Sequence, residues 1–241
     1  MKHSDPHADS LAEFCNETGI DVSREVLATM LQYLDAVLVA NETTNLTRIT
    51  DRSQAVRLHL ADSLCAIPEV LSAPAGRICD IGTGGGFPGV PIALAAGREC
   101  MLLDSVRKKA EIVAGILREL RLDQLIGVSS DRAEQHARNR REQYAVVTAR
   151  AVAPLASLVE LAAPLMFEGG ELVALKGSPD PAELDAGLAA ARVAGLTLRS
   201  NRDFILPGGD EQRCIIVFRK VKGSKVTLPR REGLAQHSPL G

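Results

Sequence analysis

The chain has 241 residues, 46% of them hydrophobic and 24% charged, and 28 basic against 30 acidic side chains leave a formal charge of −2. That balance fits one large globular domain, or one domain with a small attachment, and excludes a disordered chain, a collagen-like chain and a disulfide miniprotein. No apolar run approaches the roughly 18–20 uncharged residues of a membrane span, and the N-terminus lacks a basic-then-apolar signal layout, so a cytoplasmic protein that does not enter a membrane is expected.

The first part of the chain reads as helical. Ser10 and Glu13 have capping-box spacing for a short helix. Val22, Val26, Leu27, Met30, Leu31, Leu34, Val37 and Leu38 recur at helical spacing and predict a second helix of about twenty residues. Residues 41–50 are a polar loop, Asp51 and Gln54 cap a third helix reaching about Val70, and 72–76 is a connector. Beyond it, short apolar runs at 77–81, 101–104, 125–128, 145–148 and 171–176 alternate with helical stretches, which implies a parallel sheet covered on both faces. Runs at 197–205 and 212–220 are joined by a link too short for a parallel crossover, so they form an antiparallel hairpin. The expected fold is a doubly wound, mainly parallel, seven-stranded α/β sheet with an antiparallel last strand. Its expected divisions are an N-terminal helical extension (1–72), a core (73–222) and a basic tail (223–241). Residues 219–231 carry six bases and no acid, a pattern of either a solvated tail or a phosphate-contacting segment. The five cysteines lack metal or redox spacing and read as reduced thiols, and no metal site is expected.

The most informative segment is Asp80-Ile81-Gly82-Thr83-Gly84-Gly85-Gly86-Phe87-Pro88-Gly89, which follows a strand and opens a helix. Glycines there allow positive φ and close approach of a ligand, and the helix start offers free amides to an anionic group. Gly84-x-Gly86-x-x-Gly89 formally matches a dinucleotide fingerprint. However, the glycines begin at Gly82, in which register the third position is Phe87, and Asp80 at the strand end would repel a pyrophosphate. A carboxylate at that point suits an ammonium, so the methionine moiety of S-adenosylmethionine is preferred over NAD. Asp104 ends the next strand at an offset where an acid accepts ribose hydrogen bonds, although a cap on the following helix is its other reading. Asp131-Arg132-Ala133-Glu134, after the third strand, stands where an adenine amine is expected.

These residues resemble the bacterial 16S rRNA (guanine-N7) methyltransferase G family, also called glucose-inhibited division protein B. The resemblance runs from about Asn45 to Lys220. It is carried by Asn45-Leu46-Thr47, His59-Leu60-Ala61-Asp62-Ser63, the glycine turn, Leu103-Asp104-Ser105, Arg132-Ala133-Glu134, Thr148-Ala149-Arg150-Ala151-Val152-Ala153 and Ala174-Leu175-Lys176-Gly177. The chain end is less similar: Leu228 replaces the usual aromatic, and Gln236 and His237 stand where more basic residues are typical. The resemblance implies a Rossmann-like methyltransferase that takes a methyl group from S-adenosylmethionine to N7 of a guanine in 16S rRNA of the small ribosomal subunit. It implies cofactor contacts from Gly82 and Phe87, from Ala133 and Glu134, and from Arg150. Gly84, Asp80 and Asp104 join the cofactor set on the chemistry above.

Guanine N7 has a free lone pair and no proton, so its attack on a sulfonium methyl needs no general base and relies on positioning. His59, Asp62 and Ser63, spaced to share a helix face, together with Arg150 form the expected catalytic group. They orient the guanine or shape the cofactor mouth, or else hold the 45–47 loop. Arg150 ends the fourth strand, on the face where open sheets bind ligands, though a buried ion pair is its other reading. Lys176 and the Arg132, Arg138, Arg140 and Arg141 set are candidate RNA contacts. A monomer is expected. The competing readings are a same-fold methyltransferase acting on a small molecule or protein, and a non-catalytic binding module.

Overall fold

In a computed structural model, which describes residues 5–241, the first helices are α1 (Pro6–Thr18) and α2 (Arg24–Asn41). Asp5 caps α1 by accepting from His7 N, so the helix begins before Ser10, and the Ser10 to Glu13 spacing falls inside it rather than at its start. Residues 1–4 of the expected extension lie outside the described residues. The single third helix expected from 51 to 70 is four pieces: α3 (Arg52–Ala55), a π-helical turn (Val56–Ala61), α4 (Asp62–Leu64) and α5 (Ile67–Ser72). Asp51 does cap α3, through Gln54 N. The π turn was invisible to a periodicity argument because its hydrogen bonds merely span one residue more than those of an α-helix; such turns recur at functional sites.

The sheet comprises β1 (Ile78–Ile81), β2 (Cys100–Leu103), β3 (Ile126–Ser129), β4 (Tyr144–Arg150), β5 (Met166–Lys176), β6 (Leu196–Ile205) and β7 (Gln212–Lys220). Its order is β3-β2-β1-β4-β5-β7-β6, with β7 antiparallel to both neighbours and the other pairs parallel. The helices between strands are α6 (Gly89–Ala96), α7 (Arg107–Glu119), α8 (Ala133–Asn139), α9 (Leu155–Ala162) and α10 (Pro181–Ala194), with a short α11 (Leu234–His237) near the chain end. Strand order reverses between β1 and β4, where ligands bind at the carboxyl ends of strands in open α/β sheets.

Two apolar layers sandwich the sheet. On one face α1 to α7 share a core with Ile78, Leu102, Val146 and Val173; on the other, α8, α9 and α10 pack over Cys79, Val147, Leu172 and Phe218. The alternate residues of each strand serve opposite faces, which is why β1 and β4 are buried along nearly their whole length. All five cysteines are buried free thiols. Among the described residues no helix is long and apolar enough to cross a membrane.

Candidate active site

The turn after β1 turns sharply at Gly82 (φ 67°), Gly84 (φ 56°) and Gly86 (φ 89°). Two strand-end acids fasten it. Asp80 Oδ1 accepts from the Thr148 hydroxyl at 2.7 Å, and Oδ2 accepts from Gly89 N at 3.1 Å. Asp104 Oδ2 accepts from Gly84 N and Oδ1 from Val106 N, both at 2.9 Å. This corrects one expectation. Asp80 is fully buried beneath the turn, and both its oxygens are engaged by protein donors, so it anchors the loop instead of meeting an ammonium directly. Asp104 ties the turn to Val106, the residue before α7, without capping that helix. Burial pushes the Asp80 carboxyl up to about 6, against the pull of its hydrogen bonds and of Arg150. The Thr83 hydroxyl is buried and finds no partner of ordinary geometry, while lying close enough to Asp80 to favour its carboxylate.

In front of the turn lies a cavity of about 550 Å³ whose wall carries Thr47, His59, Asp62, Gly82, Gly84, Phe87, Arg150, Lys176 and Arg213. The π turn delivers His59 and α4 delivers Asp62. The Arg150 guanidinium donates to Asp62 Oδ2 at 2.7 Å, to Leu58 O at 2.9 Å and to His59 Nδ1 at 3.1 Å. Because a guanidinium cannot accept, His59 carries its proton on Nε2 and donates it to Thr47 Oγ1 at 2.7 Å. The imidazole stacks on Phe87 with ring centroids 4.5 Å apart and planes 4° from parallel. His59 thus both borders the cavity and holds the 45–47 loop. Ser63 is corrected: it is fully buried, and its hydroxyl donates back to His59 O, so it braces the helix and does not reach the cavity. Lys176 is not free for a phosphate; it pairs with Glu183 at 2.6 Å and donates to Ala153 O.

Sequence reasoning missed Arg213. Its Nε donates to the second oxygen of Asp62 at 2.8 Å, so one carboxylate is shared by two guanidiniums. The available signal was energetic: a buried aspartate beside one arginine still has acceptor capacity to fill. Arg57 pairs with Glu211 and ties the π turn to the β6–β7 link that places Arg213.

Burial, reinforced by the Arg150 charge, lowers the His59 pKa to about 3. Its folded value lies below the ordinary 6.5, so its share of stability is complete above pH 6.5 and is lost as the pH falls toward 3. Asp80 runs oppositely, since its raised value favours the fold most below pH 3.8 and that contribution fades as the pH rises through about 6. A His59→Asn variant should therefore lose less stability than the parent between pH 7 and pH 4.5 in urea unfolding. Equal slopes for the two proteins would show that this imidazole is not held neutral.

On the far side of Gly82, which borders both spaces, a narrow void of about 70 Å³ is lined by Ala133 and Glu134 at the start of α8, with Leu103, Ser105, Val152 and Gln236. Glu134 is buried, and its Oε1 accepts from Gly233 N at 2.9 Å. The basic rim of α8 is partly spoken for: Arg138 pairs with Glu232, and Arg141 donates to Leu228 O. Gly82 stands between the two spaces, at the topological switch point of the sheet.

A family profile described as rRNA small subunit methyltransferase G matches residues 26–204. The ribosomal RNA small subunit methyltransferase G of Chloroflexus aggregans is 38% identical, covering 95% of this chain and 97% of that protein. The protein of the same description from Bacillus subtilis is 35% identical, covering 93% and 95%. Among solved structures, a geranyl diphosphate methyltransferase in complex with SAM superposes with a TM-score of 0.55 at 15% identity, over 75% of this chain and 95% of that one. The [4+2]-cyclase SpnF does so at 0.57 and 14% identity, over 80% and 95%. At such identities these structures share the fold alone.

Proposed function

The chain belongs to the rRNA small subunit methyltransferase G family, and from that premise we infer that it methylates N7 of a guanine in 16S rRNA. It is an S-adenosylmethionine-dependent methyltransferase acting on ribosomal RNA. The observation that supports N7 as the acceptor is the absence of a free base in the cavity wall. Its titratable lining residues are His59, Asp62, Arg150, Lys176 and Arg213, and each is engaged by protein partners. An amino or hydroxyl acceptor loses a proton on methylation, whereas N7 has none to lose.

The residues fit the cofactor. Gly82, Thr83, Gly84 and Gly85 of the turn line the cavity, and backbone without bulky side chains there leaves room for a polar ligand group. Gly82, Gly84 and Phe87 would hold the methionine end, and Ala133 and Glu134 the adenine end. When bound, S-adenosylmethionine supplies an electrophilic sulfonium methyl. Arg150 and Asp62 fix His59, and His59 in turn fixes the Phe87 ring, so the mouth keeps one shape. These are positioning residues, and positioning of this kind lowers barriers by roughly 7–11 kcal/mol in well-oriented systems. Arg150 and Arg213 also give the mouth a positive edge suited to an RNA backbone.

Tritium transfer from labelled S-adenosylmethionine to small subunits and to naked rRNA lacking the modification tests this reading. The label should enter one guanine and render the strand cleavable by reduction and aniline treatment, the signature of N7 methylation. Label on an exocyclic amine or a ribose hydroxyl would refute the acceptor assignment.

A further inference from the structure

The basic chain end folds back over the narrow void beside Gly82. Arg230 Nε donates to Glu160 Oε1 at 2.6 Å, Arg230 Nη2 reaches Oε2, and Leu240 N meets the same carboxylate at 3.1 Å. Glu160 is buried in the middle of the apolar α9, so without these donors it would be an uncompensated charge. Leu228 and Ala235 are buried in the core layer to which α9 belongs. Gly233 N donates to Glu134, and Gln236 borders the void that Ala133 and Glu134 line.

We propose that this hook, residues 228–240, is the outer wall of the pocket for the cofactor's adenine, with Gln236 as an adenine-positioning residue. The proposal rests on the cofactor assignment above. The hook is a wall and not a plug because its apolar side chains pack into the α9 layer, while the space beneath it stays open. The group it presents there is a carboxamide, which both donates and accepts, the pairing that suits the amine and ring nitrogen of an adenine edge. Gln236 is exposed and can swing to widen the void while the Arg230 latch stays closed. Since Glu134 touches both the hook and the void, cofactor binding and hook docking stabilise each other, and such coupling is reciprocal.

Hydrogen exchange of the full chain, with and without S-adenosylhomocysteine, tests the coupling directly. The ligand should slow exchange of the Gly233 amide and its neighbours. Arg230→Ala should weaken ligand binding by about tenfold in calorimetry and abolish that protection, while exchange in β1 and β4 stays at the parent rate. Gln236→Ala keeps the latch, so its hook should exchange as slowly as the parent's without ligand, yet bind the ligand severalfold more weakly. Unchanged or faster hook exchange on ligand binding, or affinities within twofold of the parent for both variants, would overturn the proposal. Failure of the parent to bind the ligand at all would overturn the cofactor assignment, and the hook's role with it.

Discussion

Gly86→Ala is expected to lower stability by about 3 kcal/mol or more and the melting temperature by roughly 10 °C. Two penalties add. Gly86 sits at φ 89°, where an L side chain is strained, and a Cβ there would lie 2.0 Å from the Tyr33 hydroxyl oxygen and 2.8 Å from Cζ. Tyr33 cannot give way easily. It is fully buried, its hydroxyl donates to Gly85 O at 3.0 Å, and its ring stands edge-on to Phe87 with centroids 5.8 Å apart. The displaced turn would carry Phe87 and the stacked His59 with it, so affinity for S-adenosylhomocysteine should fall by more than about tenfold. Adding Tyr33→Phe removes the nearest clashing atom and should restore part of the lost stability, a coupling that a double-mutant cycle measures. A Gly86→Ala protein that melts within two degrees of the parent would show that α2 does not clamp the turn.

Asp62→Asn should reduce the rate of methyl transfer by about a hundredfold while weakening S-adenosylhomocysteine binding far less. The carboxylate accepts from Arg150 on one oxygen and Arg213 on the other, within a wall where Asp62 is only 4% exposed. An asparagine keeps the shape, but it has one acceptor oxygen and points an N–H pair at the other guanidinium. Two cations then face each other without the charge between them. Arg150 is freed from Asp62, and its hold on His59 Nδ1 loosens with it, so the mouth loses its single geometry. The fold should lose about 2 kcal/mol, less than a fully buried pair would cost because both arginines reach solvent. Asp62→Glu keeps the charge but lengthens the arm, and should not recover the rate. Single-turnover transfer beside ligand calorimetry separates the effects; a rate within threefold of the parent would remove Asp62 from the positioning group.

The strands and the glycine turn were legible because their causes are local. Apolar runs such as Ile78 to Ile81 and Ala145 to Thr148 report a buried parallel sheet, and clustered glycines report backbone that must take positive φ. In the short helix α8, by contrast, Glu134, Gln135, His136, Arg138 and Asn139 are all polar in the sequence, and only packing decides that Glu134 and His136 are buried. The tail was read as solvated or phosphate-contacting, whereas Arg230 is latched to Glu160. A lone glutamate within the apolar stretch Leu155–Ala162 was the visible sign that some cation had to reach it.

The sequence by itself determined the alternation of strands and helices, the glycine turn at Gly82 to Gly89 and the place of Asp80 and Asp104 beside it, because periodicity and backbone sterics act between near neighbours in the chain; the nearness of His59 and Arg150 to the turn was implied by the family resemblance. Only the tertiary structure decided what those groups touch. It turned Asp80 and Asp104 into loop anchors, withdrew Ser63, and joined Asp62 to Arg150 across 88 positions and to Arg213 across 151. Hydrogen bonds and ion pairs act over a few ångströms of space whatever the distance along the chain, so no local pattern can name the partner of a buried charge.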